Sequence, residues 1–124
     1  GRGSRGLIEP IAVMKKVCLQ VCTACGEDAG RRLYKALLAR AADLREVEVQ
    51  PVDCLAVCER PVTLAFQAAG GWTYIVGDAD PARDLADILA AARAVAASPH
   101  GIPAMEDRPP FFRKGVIARV PPAP

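Results

Sequence analysis

Five cysteines form two clusters along this chain of 124 residues. The first cluster contains Cys18, Cys22 and Cys25, and the second contains Cys54 and Cys58. Thiols at such short spacings are typical of metal and redox sites, because thiolates bind zinc and iron and also exchange with disulfides. An odd, clustered set fits a reducing cytosol better than a secreted disulfide framework. We therefore expect a cytoplasmic protein with a metal or redox site.

Two predicted strands bring the cysteine pairs together. Apolar residues alternate with other residues over Lys16–Val21 and again over Glu46–Val52, which predicts a strand in each segment. In open α/β sheets, ligands bind near the carboxyl ends of strands. One pair of cysteines follows each strand, so four thiolates are expected to converge: Cys22 with Cys25, and Cys54 with Cys58. Cys18 lies inside the first strand, where a free cysteine usually packs as a small apolar side chain.

The other predicted elements build a sheet with helices against it. Two further strands are joined by the Gly70-Gly71 turn, and two helices carry apolar stripes. The second helix is predicted to begin at Pro81, because Asp80 is a good N-cap and proline suits the first helical position. The sequence therefore predicts an α/β fold with a mixed central sheet, with these remaining elements: strands Val62–Gln67 and Trp72–Val76, and helices Asp28–Ala42 and Pro81–Ala97.

Length and composition indicate a single domain with an extension. A chain of 124 residues with 52% hydrophobic content can build one core without disulfides. Residues 1–14 are rich in Gly and Arg and have no periodicity, so we expect a disordered extension or an expression remnant. Residues 15–124 are the predicted domain. From His100 onward the chain has six prolines and little periodicity, but it is too apolar for a free tail, so we expect this segment to wrap the domain or a partner.

Charge and hydropathy exclude several classes of function. Sixteen basic and 14 acidic residues give a net charge of +2, too balanced to favour nucleic-acid binding. No apolar run approaches the roughly 18 residues that a membrane helix needs. A loose basic group indicates a partner surface, and it contains Arg108, Arg113, Lys114 and Arg119. His100 lies between proline and glycine, so we expect a loop residue and not a metal ligand.

The motifs resemble two groups of known proteins. Cys54-Leu55-Ala56-Val57-Cys58, followed by Pro61 and an apolar strand, resembles the second cysteine pair of thioredoxin-like [2Fe-2S] ferredoxins. The chain from Lys16 to Pro122 is more similar to a family of small bacterial predicted metal-binding proteins. The motifs that carry this second resemblance are Val21-Cys22-Thr23-Ala24-Cys25, Pro51-Val52-Asp53-Cys54-Leu55, Trp72-Thr73-Tyr74 with Gly77-Asp78, and Arg113-Lys114-Gly115-Val116-Ile117-Ala118-Arg119-Val120-Pro121. The resemblance implies a thioredoxin-like ferredoxin fold and cysteine ligation of a metal.

Three functional hypotheses follow. We favour an electron carrier that binds a [2Fe-2S] cluster through Cys22, Cys25, Cys54 and Cys58 and exchanges electrons with redox partner proteins, as a homodimer. The second hypothesis is a zinc protein with four cysteine ligands, because the close spacing of Cys22 and Cys25 is also typical of zinc sites. In either metal site, Cys18 could replace one of the four ligands. The third hypothesis is a thiol-disulfide oxidoreductase, because Cys22 and Cys25 lie between a strand and a helix. No acid and base pair accompanies the thiols, so we do not expect an enzyme.

Overall fold

The structure, a computed structural model, describes residues 16–24, 28–56 and 60–122. The predicted extension over residues 1–14 lies outside these described residues. The elements in chain order are β1 Val17–Cys22, α1 Ala29–Ala41, β2 Val47–Val52, β3 Leu64–Ala68, β4 Thr73–Val76, α2 Leu85–Ala97, two 3-10 helices at Pro99–Gly101 and Met105–Asp107, α3 Pro110–Gly115, and β5 Val116–Val120. No helix among the described residues is long and apolar enough to cross a membrane.

The five strands form one mixed sheet in the order β2-β1-β3-β4-β5. β1 and β2 are parallel, and the other three pairs are antiparallel. Leu19 in β1 pairs with Val49 on one side and with Phe66 on the other. This arrangement confirms the predicted α/β fold with a mixed central sheet, and β5 adds a strand that the sequence pattern did not predict.

The core lies between the sheet and the helices. Val17, Leu19 and Val21 alternate along β1 and are fully buried. They belong to one apolar cluster with Leu33 of α1 and Ile88 of α2. The two helices contact β1 and also each other, so they cover the same face of the sheet. Their stripes repeat at three and four residues, which turns a continuous apolar surface toward the strands.

The C-terminal segment packs against the same core through one phenylalanine. Phe112 of α3 has no exposed surface. Its ring centroid lies 5.2 Å from that of Phe66 and 5.2 Å from that of Tyr74. Phe111 is only half-buried and meets the edge of the Phe112 ring at 6.2 Å. Tilted and edge contacts of this kind are favourable arrangements for aromatic rings.

The second long helix begins later than predicted, at Leu85 and not at Pro81. Asp80 Oδ1 accepts the backbone N–H groups of Ala82 at 2.8 Å and Arg83 at 2.9 Å. The buried carboxylate of Asp84 in turn accepts the N–H of Asp80 at 2.9 Å. Asp80 therefore caps a separate turn that precedes α2. Asp84 lies between this turn and the helix, and its hydrogen bond to the N–H of Asp80 fixes the turn in place.

All four predicted strands differ from the observed strands by one or two residues at an end, and two of these differences bear on the cysteine edge. β1 extends to Cys22, so this cysteine is the last residue of the strand and does not follow it. The third strand begins at Leu64 and not at Val62. Val62 exchanges both backbone hydrogen bonds with Ala79, at 3.1 and 3.0 Å, and so pairs with the segment after β4.

Removal of the Phe112 ring should destabilise the fold. We expect Phe112→Ala to lower the free energy of unfolding by about 3–5 kcal/mol, because a fully buried phenylalanine leaves a cavity. Phe111→Ala is the matched control, and its loss should be clearly smaller because Phe111 is half-exposed. Urea unfolding followed by circular dichroism measures both. Equal losses for the two variants would contradict the packing described for α3.

The Asp80 cap should make stability depend on pH. Hydrogen bonds from the backbone N–H groups of Arg83 and Ala82 lower the pKa of Asp80 below its ordinary value of 3.8. A lowered folded-state pKa stabilises the protein above the unfolded-state pKa, and that contribution is lost as pH falls through the folded value. Asp80→Asn keeps an acceptor but removes the charge, so it should melt below the wild type at pH 7. The difference in melting temperature should begin to shrink near pH 3.8 and disappear below the lowered folded-state pKa. A difference that does not shrink as the pH falls below 3.8 would argue against this cap.

Candidate metal centre

The parallel pairing of β1 and β2 brings the two cysteine segments to one edge of the sheet. Cys22 at the end of β1 pairs with Val52 at the end of β2. Thr23 then donates its backbone N–H to the Val52 carbonyl at 2.9 Å and its hydroxyl to the same oxygen at 3.2 Å. Cys54 follows Val52 by two residues. The residue after Cys22 is thus hydrogen-bonded directly to the residue that lies two positions before Cys54.

Cys22 is held in a buried position. Its side chain is 1% exposed. Its backbone N–H donates to the carbonyl of Thr63 at 3.0 Å, on the side of β1 opposite to β2. Residues from β2 and from the start of β3 therefore flank this cysteine on both sides, which fixes its backbone and shields its sulfur from water.

Cys54 is exposed, and its sulfur accepts a hydrogen bond. The backbone N–H of Ala56 donates to Cys54 Sγ at 3.2 Å. Ala56 has a φ of 66°, a left-handed conformation that costs a residue with a side chain about 1–2 kcal/mol. Backbone N–H groups aimed at cysteine sulfur stabilise the thiolate form and are a common outer shell of metal sites. The local backbone thus suits Cys54 to act as a thiolate ligand.

The far end of the second cysteine segment is anchored to the loop after β4. Arg60 donates to Asp78 Oδ2 from Nε at 3.0 Å and from Nη2 at 2.7 Å. The carbonyl of Arg60 accepts the N–H of Asp78 at 3.0 Å and the hydroxyl of Thr63 at 3.2 Å. The ion pair is partly exposed and contributes up to about 1 kcal/mol. Its main effect is to fix where the segment rejoins the sheet.

Helix α1 begins directly over the cysteine edge. Gly30 in its first turn lies so close to β1 that a β-carbon there would overlap the carbonyl oxygen of Cys22. The same β-carbon would lie 3.1 Å from the Cα of Thr23. A helix N-terminus carries a partial positive charge that favours anionic groups nearby. The absence of a side chain at Gly30 therefore lets this end of α1 approach the backbone of Cys22 and Thr23.

Cys18 lies away from this edge. It precedes Cys22 by four residues on the same strand, which separates their Cα atoms by about 13 Å. Its side chain lines a groove of about 320 Å³ with Lys16, Glu48 and Gln67. Burial raises the pKa of the Cys18 thiol, and the Glu48 carboxylate raises it further, against a smaller lowering by Lys16. Cys18 therefore stays protonated more readily than a thiolate ligand should.

Of the four predicted ligands, the structure brings Cys22 and Cys54 to the same edge, while Cys25 and Cys58 lie outside the described residues. Among residues 16–24, 28–56 and 60–122, no three His, Cys, Asp or Glu side chains form a group that could hold a metal ion. The four-cysteine set consequently stays a prediction. The described residues place Cys22 at the end of β1 and Cys54 two residues after the end of the neighbouring β2.

Comparison with known proteins assigns the chain to a family and supports its fold. The sequence profile of the family described as "Protein of unknown function (DUF1636)" matches residues 16–122. The chain belongs to the DUF1636 family. A search of curated protein sequences finds no match.

The solved structure of another protein is similar in fold to this DUF1636 chain. That protein is a thioredoxin-like [2Fe-2S] ferredoxin from Aquifex aeolicus, and the similarity has a TM-score of 0.60 at 15% sequence identity. The similarity covers 89% of this chain and 98% of the ferredoxin. The DUF1636 chain therefore has a thioredoxin-like fold, as the cysteine motifs predicted.

Several residues that shape the site were not singled out from the sequence. Gly30 carried a signal, since an isolated glycine inside a helical pattern often marks close packing. Thr23 carried none, because its role depends on a carbonyl that lies 29 residues away in the sequence. Asp78 belongs to one of the family motifs but was given no role there, and only the folded chain brings it to Arg60.

A side chain at Gly30 should disturb the cysteine edge. Gly30→Ala gains about 1 kcal/mol of helix propensity, but the overlap with Cys22 costs about 1–3 kcal/mol, so we expect a net loss of stability. Lys35→Ala on the exposed side of α1 is the control and should be close to neutral. Thermal unfolding of the three proteins measures the difference. An alanine variant that melts at or above the wild-type temperature would show that α1 does not approach Cys22 this closely.

Proposed function

We propose that this DUF1636 protein binds a [2Fe-2S] cluster through Cys22, Cys25, Cys54 and Cys58 and transfers electrons between partner proteins. One observation carries the proposal: the Cys22–Val52 register and the Thr23–Val52 hydrogen bonds bring one cysteine of each pair to a single edge. The hydrogen bond from Ala56 N–H to Cys54 Sγ fits a thiolate ligand. A donor set made of thiolates suits iron–sulfur clusters.

The residues of the chain would tune such a centre in three ways. A bound [2Fe-2S] cluster supplies a one-electron redox centre. The Ala56 N–H spreads the negative charge of the Cys54 sulfur, which favours reduction. Burial of Cys22 excludes water from one side. The Arg60–Asp78 pair and the Thr23 hydrogen bonds hold the two segments in place, so little rearrangement is needed when the charge changes.

Electron transfer is favoured over substrate chemistry by the ligand set. With protein sulfur in all four ligand positions, no coordination position remains open for a substrate. The similar structure from Aquifex aeolicus is itself a ferredoxin, which supports the same reading. A thiol-disulfide oxidoreductase needs a nucleophilic thiol that reaches its substrate. Cys22 is 1% exposed, and this burial suits a ligand better than an attacking nucleophile.

Zinc is the second candidate for the same thiols. The Cys22-x-x-Cys25 spacing is typical of zinc sites with four thiolates. A zinc centre would be structural or sensory, because zinc has no redox chemistry of its own. The hydrogen bond to Cys54 Sγ is compatible with zinc and with iron and does not distinguish them. Only the Cys22-x-x-Cys25 spacing favours zinc.

Redox partner proteins and a homodimer are also part of the proposal. The homodimer was predicted partly from apolar residues in the C-terminal segment. Phe112 among them packs against Phe66 and Tyr74 of its own chain. Val116 and Ile117 are half-buried, so these two leave some apolar surface for a second copy. Light scattering of the purified protein measures the oligomeric state directly.

Anaerobic purification tests the metal and its ligands together. We expect a coloured protein with equal iron and sulfide, an absorbance that dithionite bleaches, and an electron paramagnetic resonance signal on reduction. Serine in place of Cys22, Cys25, Cys54 or Cys58 should abolish or shift that signal, because each substitution removes one thiolate. Cys18→Ser is the matched control and should keep it, since Cys18 lies away from the site.

Three outcomes would change the conclusion. A colourless protein that contains zinc and has no reducible centre would replace the electron carrier with the zinc protein. A Cys18→Ser variant that loses its metal would overturn the ligand set. A metal-free protein whose Cys22 and Cys25 cycle through a disulfide would establish the thiol-disulfide oxidoreductase instead.

A further inference from the structure

A second groove lies beside β4 and β5, at the opposite end of the strand order from β2. Its volume is about 480 Å³. Three arginines line it, together with one tyrosine and three apolar side chains: Arg108, Arg113, Arg119, Tyr74, Met105, Val116 and Ala118. None of these residues belongs to the cysteine segments. The groove is within the size range of small-molecule sites.

The positive charge of this groove is not neutralised by any ion pair among residues 16–24, 28–56 and 60–122. Among the described residues, the ion pairs involve Lys16, Arg60, Arg83 and Arg93 as cations, and none of the groove arginines. Asp107 precedes Arg108 in the sequence but lines a different groove along α2. Guanidinium groups cannot lose their charge at physiological pH. An anion is therefore the complementary ligand.

Two of the arginines are held in place before any ligand arrives. Arg108 donates from Nε to the carbonyl of Pro103 at 3.0 Å, and its guanidinium lies 5.6 Å from the centroid of the Tyr74 ring. The guanidinium of Arg119 lies 4.7 Å from the centroid of the Trp72 ring. Arginines fixed by stacking lose less conformational entropy when they bind, so such an arrangement favours ligand binding.

The hydroxyl of Tyr74 gives the clearest sign of a missing acceptor. Tyr74 is 1% exposed, and its oxygen accepts a hydrogen bond from Arg108 Nη2 at 3.4 Å. Within the part of the chain that the structure describes, no hydrogen bond satisfies the Tyr74 O–H as a donor. A buried hydroxyl group normally donates one hydrogen bond as well as accepting one. Tyr74 and the arginines therefore supply several hydrogen-bond donors among the residues that line the groove.

We infer that this groove binds a small organic oxyanion, either a carboxylate or a phosphate ester. Its oxygens would accept hydrogen bonds from the Tyr74 hydroxyl and from free N–H groups of Arg108, Arg113 and Arg119. The apolar part of this ligand would contact Val116 and Met105. Met105 is 61% exposed, so the ligand would cover apolar surface that is now in water. Planar, forked guanidinium groups recognise both kinds of oxyanion.

Fluorescence offers a direct test, because Trp72 is the single tryptophan of the chain and stacks on Arg119. We would titrate the protein with butyl phosphate and with pentanoate at constant ionic strength, and with butanol as the uncharged control. A saturable change with at least one anion, and none with butanol, is expected. The preferred anion then identifies the phosphate or the carboxylate class. The absence of saturation with both anions would overturn the inference.

Calorimetric titration of variants separates this site from general charge attraction. Tyr74→Phe keeps the ring and removes one donor to a charged acceptor, so affinity should fall roughly tenfold or more. Arg119→Gln lies on the exposed strand β5 and should weaken binding without affecting folding. Arg40→Gln removes the same charge from the exposed side of α1 and should leave binding unchanged. If Arg40→Gln weakens binding as much as Arg119→Gln does, the attraction is general and the site is refuted.

Discussion

The parallel pairing of β1 with β2 is the constraint on which the cysteine edge depends. Two neighbouring parallel strands need a crossover connection between them. Here α1 is that connection, and it packs against one face of the sheet. The crossover begins just after Cys22 and ends just before β2, so both strands point their carboxyl ends in one direction. Cys22 and Cys54 share an edge because of this topology, not because they are near in sequence.

The close approach at Gly30 couples this topology to the site. The first turn of α1 lies on the Cys22 carbonyl, while the Thr63 carbonyl and the Val52 carbonyl hold the backbone from either side. The hydrogen bonds to these two carbonyls are made by backbone N–H groups, so they fix the backbone of Cys22 and Thr23 directly. A rigid frame of this kind suits a ligand, because a metal centre requires its donors within a few tenths of an ångström of their final positions.

The C-terminal segment has a separate structural role. Phe112 closes the core next to β3 and β4, and β5 then pairs with β4. This course carries Arg108 and Arg119 onto the aromatic rings of Tyr74 and Trp72. A segment rich in proline thereby completes the sheet and creates a cationic groove at the opposite side from the thiols. The two surfaces share no residue, which allows one chain to have two independent binding functions.

Elements with local sequence signals could be predicted before the structure was known. Alternation over β1 and β2 and the apolar stripes of α1 and α2 predicted the α/β fold, because the periods of strand and helix appear directly in neighbouring residues. The cysteine spacing predicted which thiols to consider, and the resemblance to known families implied the thioredoxin-like fold.

The remaining features depend on contacts between segments that are distant in the sequence. β5 pairs with β4 through backbone groups, which leave no pattern in Val116–Val120. The start of α2 depends on Asp84, whose burial no local pattern reveals. The contact between Arg108 and Tyr74 joins residues 34 positions apart. Such contacts depend on how distant segments pack, and that information is spread over the whole chain.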